Sequence, residues 1–152
     1  MFKKIAAVIG FVVIIGAWAA GGSAGRDFAR YLFRSSDQNE EEIYTQVQKG
    51  LHLAAAQINR NVPLMVDDET RLDSAVASSD KLTYYYTFPN YSSRDVSYEV
   101  VKERVLPNIT RTVCGDEDMI WTMKYGIQYV YVYRGNDRRD IASFQIAAAD
   151  CR

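Results

Sequence analysis

The chain has 152 residues, 48% of them hydrophobic and 24% charged, with a formal net charge of −1. This size admits one compact domain with a short extension and excludes a multidomain enzyme, while the apolar fraction excludes wholesale disorder. The near-neutral balance lacks the basic footprint of a nucleic-acid binder, and two cysteines are too few for a disulfide-rich miniprotein or a four-cysteine zinc site.

Charge is unevenly distributed along the chain. Residues 1–34 carry net +4 and residues 35–152 net −5, the layout of a membrane segment feeding an acidic domain. After Lys3 and Lys4, the uncharged run from Ile5 to Gly25 spans twenty-one residues. At about 1.5 Å per residue it covers a hydrocarbon core of about 30 Å. We read it as a single-pass membrane anchor. Gly16, Ala20 and Ala24 recur every fourth residue, a spacing that lets a second transmembrane helix approach closely. Arg26, Arg30 and Arg34 keep the same period where lipid phosphates would lie. A secretory signal peptide with Ala17-Trp18-Ala19 as its cleavage motif is the alternative. Residues 1–34 are thus predicted as anchor and juxtamembrane helix, 35–39 as a polar linker, and 40–152 as an extracytoplasmic domain.

In the domain, Asn39 and Glu40-Glu41-Glu42 supply the cap and acidic first turn of a helix. Ile43, Val47, Leu51, Ala54 and Ile58 give it an apolar stripe over about residues 39–60, and Asn61 and Pro63 end it. Leu72–Ala77 alternates only loosely, whereas Lys81–Phe88 is dense in aromatic and β-branched residues; the two form a predicted hairpin across Ser78-Ser79-Asp80. Tyr98, Val101, Val105 and Ile109 keep helical spacing, with Pro107 expected to kink or break the helix near Lys102 to Val105. Asp116 caps a short helix carrying Met119, Ile120 and Met123. A second hairpin follows, Ile127–Arg134 turning at Gly135-Asn136-Asp137 into Ile141–Ala148. The fold class is α+β: an N-terminal transmembrane helix, then an antiparallel sheet of two hairpins with helices packed on one face, a cystatin-like or NTF2-like layout.

Cys114 and Cys151 would tie the end of the last strand to the end of a preceding helix. Such a bridge encloses thirty-six residues and is worth about 3–4 kcal/mol in the chain-entropy model; two free thiols are the alternative. The bridge needs an oxidising compartment, which places the domain outside the cytoplasm; with the anchor reading, and if the source is a Gram-negative bacterium, the expected location is the bacterial inner membrane with the domain facing the periplasm.

Tyrosine is in excess, with eleven residues. Alternation puts Tyr129, Tyr131 and Tyr133 on one sheet face and Val130 and Val132 on the other. With Tyr85, these rings are the candidate partner-binding surface; packing inside the core is the alternative. Cys114 with the lone His52 is the minimum for a thiol nucleophile, but nothing in the spacing brings them together. The acidic clusters Glu40-Glu41-Glu42, Asp67-Asp68-Glu69 and Asp116-Glu117-Asp118 lack calcium-loop spacing, and two of them sit at helix starts. No catalytic residue, metal ligand, cofactor or small-molecule substrate is predicted.

The string NVPLMVDDETRLD from Asn61 to Asp73, LTYYYT from Leu82 to Thr87, and two cysteines bracketing a tyrosine-rich strand resemble a pattern in small bacterial single-pass envelope proteins. That group has a two-cysteine α+β domain and no assigned activity, so the resemblance implies an envelope location alone. The expected function is a membrane-anchored, non-enzymatic domain that binds another envelope protein. The alternatives are a structural subunit held in a membrane assembly by helix packing, and a thiol-dependent enzyme using Cys114.

Overall fold

The computed structural model describes residues 39–152. The anchor reading of residues 1–34, its packing residues Gly16, Ala20 and Ala24, and linker residues 35–38 lie outside the described residues. No helix of the described residues is long and apolar enough to cross a membrane.

Helix α1 (Glu40–Asn59) begins where Asn39 Oδ1 accepts a hydrogen bond from the Glu42 N–H at 2.9 Å. Its three leading glutamates face the partial positive charge of the helix start. Val47, Leu51, Ala55 and Ile58 are buried. Ala55 rather than the expected Ala54 completes the stripe, because 3.6 residues per turn carries the buried line one position onward there.

Five strands follow in one sheet of order β1-β2-β3-β4-β5: β1 (Leu64–Met65), β2 (Arg71–Ala77), β3 (Lys81–Phe88), β4 (Gln128–Gly135) and β5 (Asp140–Ile146). Both predicted hairpins form, β2 with β3 and β4 with β5, each antiparallel. The sheet is nevertheless mixed, not antiparallel as expected, because β3 and β4 pair in parallel along their whole length. The residues between them are long enough for a crossover, and they fold as helices α2 (Tyr98–Gly115) and α3 (Glu117–Met123). The loose alternation of β2 also has a cause: the register shifts between Leu72 and Ser74, so a bulge at Asp73 leaves two residues between inward-facing Leu72 and Ala75.

Helix α2 continues through Pro107 as one helix, so the expected break does not occur. Val101, Val105, Ile109 and Val113, four apart on either side of the proline, are all buried and hold both halves on one line. Pro107 itself points to solvent, so the carbonyl it leaves unpaired is on the wet side. Asp116 ends α2 and caps α3, its Oδ1 accepting from the Met119 N–H at 2.9 Å.

The buried lines of α1 and α2 share one core with Leu72, Leu82, Tyr86, Tyr129, Tyr131, Tyr133, Phe144 and Ile146. These side chains occupy one face of the sheet in register, so the helices cover one face as expected. Truncating a core residue such as Leu51 or Ile109 to alanine costs about 2–5 kcal/mol.

The two sulfurs meet. Cys114, in the last turn of α2, is bonded to Cys151, which follows a short 3-10 turn at Ala148–Asp150, with Cα atoms 5.1 Å apart.

Candidate functional site: the open face of the sheet

The tyrosine row lies beneath the helices. Tyr129, Tyr131 and Tyr133 are only 4%, 3% and 3% exposed, which removes them as a partner-binding surface. They pack the core instead, because the helices settle on the face with the larger apolar area. Register sets Tyr84 beside Tyr131 and Tyr86 beside Tyr133, and both ring pairs stack at 5.1 Å between centroids. Phe88 extends the stack onto Tyr133 at 5.6 Å. Burial pushes the Tyr129 phenol up to about 12, and its hydroxyl shares a 2.7 Å hydrogen bond with Thr122. Burial likewise holds Tyr84, Tyr86, Tyr131 and Tyr133 well above the ordinary phenol range.

The fourth expected residue is placed differently. Tyr85 points to the opposite face, half-buried, with the Arg134 guanidinium 4.5 Å from its ring centre. That face has three cross-strand rows. Val76, Thr83, Val130 and Gln145 form one, and Ser74, Tyr85, Val132 and Ser143 the next. Arg71, Thr87, Arg134 and Asp140 form the third. Val76 is 51% exposed, among the more exposed large apolar side chains of the described residues.

The third row is charged and hydrogen-bonded. Arg71 donates through Nε to Asp73 Oδ1 at 2.5 Å, and Thr87 donates its hydroxyl to Asp73 Oδ2 at 2.5 Å. Arg71 and Asp73 thus form an ion pair on this face. Arg134 Nε donates to Asp140 Oδ1 at 2.6 Å. Both arginines are tethered at Nε by carboxylates and line a cleft of about 420 Å³. Arg71, Asp73, Thr87, Pro89, Arg134 and Arg138 line it, together with Gly135 and Asn136.

The cleft's rim is stitched across the chain. Asn136 N–H donates to the Tyr91 carbonyl at 2.8 Å, and Ser93 donates its hydroxyl to Asp137 at 2.7 Å. Hydrogen bonds from Ser93 and Ser92 hold the Asp137 and Asp95 carboxyls below the usual carboxylate range. Gly135 sits where this loop crosses the strand: a Cβ there would lie 2.5 Å from the Ser93 nitrogen, so no other residue fits without backbone movement.

Sequence reasoning missed the row of Arg71, Thr87 and Arg134. Its signal is the parallel register of β3 and β4, which no local pattern encodes. Cys114 is committed to the disulfide and His52 is exposed on α1, so the thiol–imidazole pair does not form. Among the described residues no group of three or more His, Cys, Asp or Glu side chains could hold a metal ion. The acidic clusters serve locally: Asp67 Oδ1 accepts from the Glu69 N–H at 2.7 Å, and the other two begin helices.

With this geometry the chain can be set beside solved structures. The pilotin EpsS of the Vibrio vulnificus type 2 secretion system matches with TM-score 0.60 and 15% identity, over 75% of this chain and 98% of that chain. The fold is pilotin-like. The type II secretion system pilotin AspS of Vibrio cholerae matches with TM-score 0.51 and 17% identity, over 70% of this chain and 97% of that one. A Pseudomonas aeruginosa protein described as a candidate secreted protein matches with TM-score 0.59 and 14% identity, over 71% of this chain and 95% of that one. These likenesses are ones of fold. No protein-family model and no curated protein matches the sequence.

Proposed function

We propose that this chain is a non-enzymatic, extracytoplasmic module of the bacterial envelope that binds another envelope protein. In this reading residues 1–34 anchor it to the inner membrane and residues 35–39 link that anchor to the domain. The observation that carries the reading is the pilotin-like fold, matched over 98% of a secretion-system pilotin. The Cys114–Cys151 bond supports it, because such bonds persist in oxidising compartments. The binding surface is the open sheet face: Val76 and Tyr85 offer apolar contact, and the arginine row offers orientation.

The test is affinity capture of the full chain from detergent-solubilised membranes, with mass spectrometry of what accompanies it. One envelope protein enriched with wild type, and lost with a Val76→Glu, Tyr85→Ala variant, is the expected result. Capture of cytosolic proteins only, or of nothing beyond background, contradicts the reading.

A further inference from the structure

We infer that the cleft between Arg71, Arg134 and Arg138 is the seat for a carboxylate on an acidic segment of the partner protein. The inference rests on the function proposed above and adds the partner's chemistry to it. Three arginines line the cleft against two carboxylates, Asp73 on Arg71 and Thr87 and Asp140 on Arg134, each bonded to its arginine at Nε, which leaves an excess of positive charge. Arg71 and Arg134 stand in one cross-strand row with Thr87 between them. Two strand spacings put their backbones about 10 Å apart, room for one planar anion between two guanidinium forks.

Both forks are held before any ligand arrives. Asp73 and Asp140 fix the Nε ends, and the Tyr85 ring supports the Arg134 plane. Pre-organised arginines lose less freedom on binding than free ones, and their geometry suits a bidentate carboxylate. The occupant is a peptide rather than a free ion, because the half-buried Tyr85 and the exposed Val76 continue the face beside the cleft and suit neighbouring side chains. The chain's own residues 1–34, at net +4, have the wrong sign to fill it.

The probe is a fluorescent peptide, Ac-Leu-Glu-Val-Asp-Glu-Leu-amide, titrated onto the solubilised full chain beside its Gln/Asn counterpart. Inorganic phosphate and vesicles of phosphatidylglycerol serve as the other anion sources. The expected result is saturable binding of the acidic peptide, weakened about tenfold or more in the counterpart and in an Arg134→Gln, Arg138→Gln variant. An Arg134→Lys variant, which keeps charge but loses the fork, should also bind more weakly, and melting curves establish that each variant is folded. Equal binding of both peptides, no binding, or binding untouched in the folded double variant overturns the inference. Binding of phosphate or vesicles without the peptide also overturns it. If the double variant still captures the same envelope protein as wild type, the inference fails and the broader function stands. If wild type binds the peptide but captures no envelope protein, the broader function is what fails.

Discussion

The side chain of Asn59, the last residue of α1, bonds both backbone groups of Ala75 in β2. Its Nδ2 donates to the Ala75 carbonyl and its Oδ1 accepts from the Ala75 N–H, each at 2.8 Å. β1 pairs only with Leu72 and Arg71, so the outer edge of β2 beyond them has no strand neighbour. The amide of Asn59 acts as a one-residue strand there, blunting an edge that would otherwise be open to other chains. Asn59→Ala should cost about 1–3 kcal/mol, because it leaves both backbone groups of the buried Ala75 without their partners. Denaturant unfolding of the full chain checks the magnitude, and faster amide exchange at Ala75 checks the site.

Gly135 should tolerate no side chain. The added Cβ meets the backbone of Ser92 and Ser93 rather than a movable side-chain tip. Gly135→Ala is therefore expected to destabilise by about 1–3 kcal/mol, as overpacking does, and to loosen the Ser93–Asp137 contacts. Asp95 in the loop before α2 and Asp137 in the β4–β5 turn, joined through the Ser93–Asp137 hydrogen bonds, both have lowered pKa values. A carboxylate with a depressed native pKa contributes stability above its unfolded pKa and loses it as pH falls through the native value. The loop should thus loosen in acid below the ordinary carboxylate range, visible as broadened amide signals of Ser92 and Ser93.

Alkali should unfold the domain from the inside. Tyr129 is raised to about 12 by burial, and its neighbours in the stack are raised in the same direction. A phenol with a raised native pKa favours the folded state fully below its unfolded pKa of about 10, and that contribution is lost as pH rises from there through the native value. Tyr129 alone accounts for about 2–3 kcal/mol across that window. Tyrosinate absorbance should lag behind that of free tyrosine, then rise together with loss of the fold. Smooth titration of all eleven tyrosines near the free value, with the fold intact, would contradict the buried stack.

Removing the disulfide should weaken the fold without changing its topology. Cys114→Ser with Cys151→Ser releases a crosslink across 37 positions, for a loss of about 3–4 kcal/mol in the chain-entropy model. Denaturant midpoints of the oxidised, reduced and double-serine forms should place the last two together.

Local chemistry made much of this legible in the sequence. Asn39, the three glutamates and the apolar spacing specify α1; the alternation from Tyr129 to Tyr133 specifies β4; the two cysteines specify their bond. What stayed hidden depends on distant partners. The pairing of Tyr84 with Tyr131, and so the parallel centre of the sheet, is decided by where α2 and α3 cross, not by either strand. Which face the helices cover decided the fate of the tyrosines: the alternation of Tyr129, Tyr131 and Tyr133 was readable, but their burial was not. The arginine row combines both problems, since Arg71 and Arg134 become neighbours only once β3 lies between them.

The most direct measurement is photo-crosslinking in living cells from single positions of the full chain. A crosslinking amino acid at Val76 or Tyr85, on the uncovered side of the sheet, should yield one adduct with an envelope protein. The same amino acid at Leu53, on α1, should yield none. Silence at positions 76 and 85, or a cytosolic protein joined there, would contradict the assignment of this domain as a partner-binding module outside the cytoplasm.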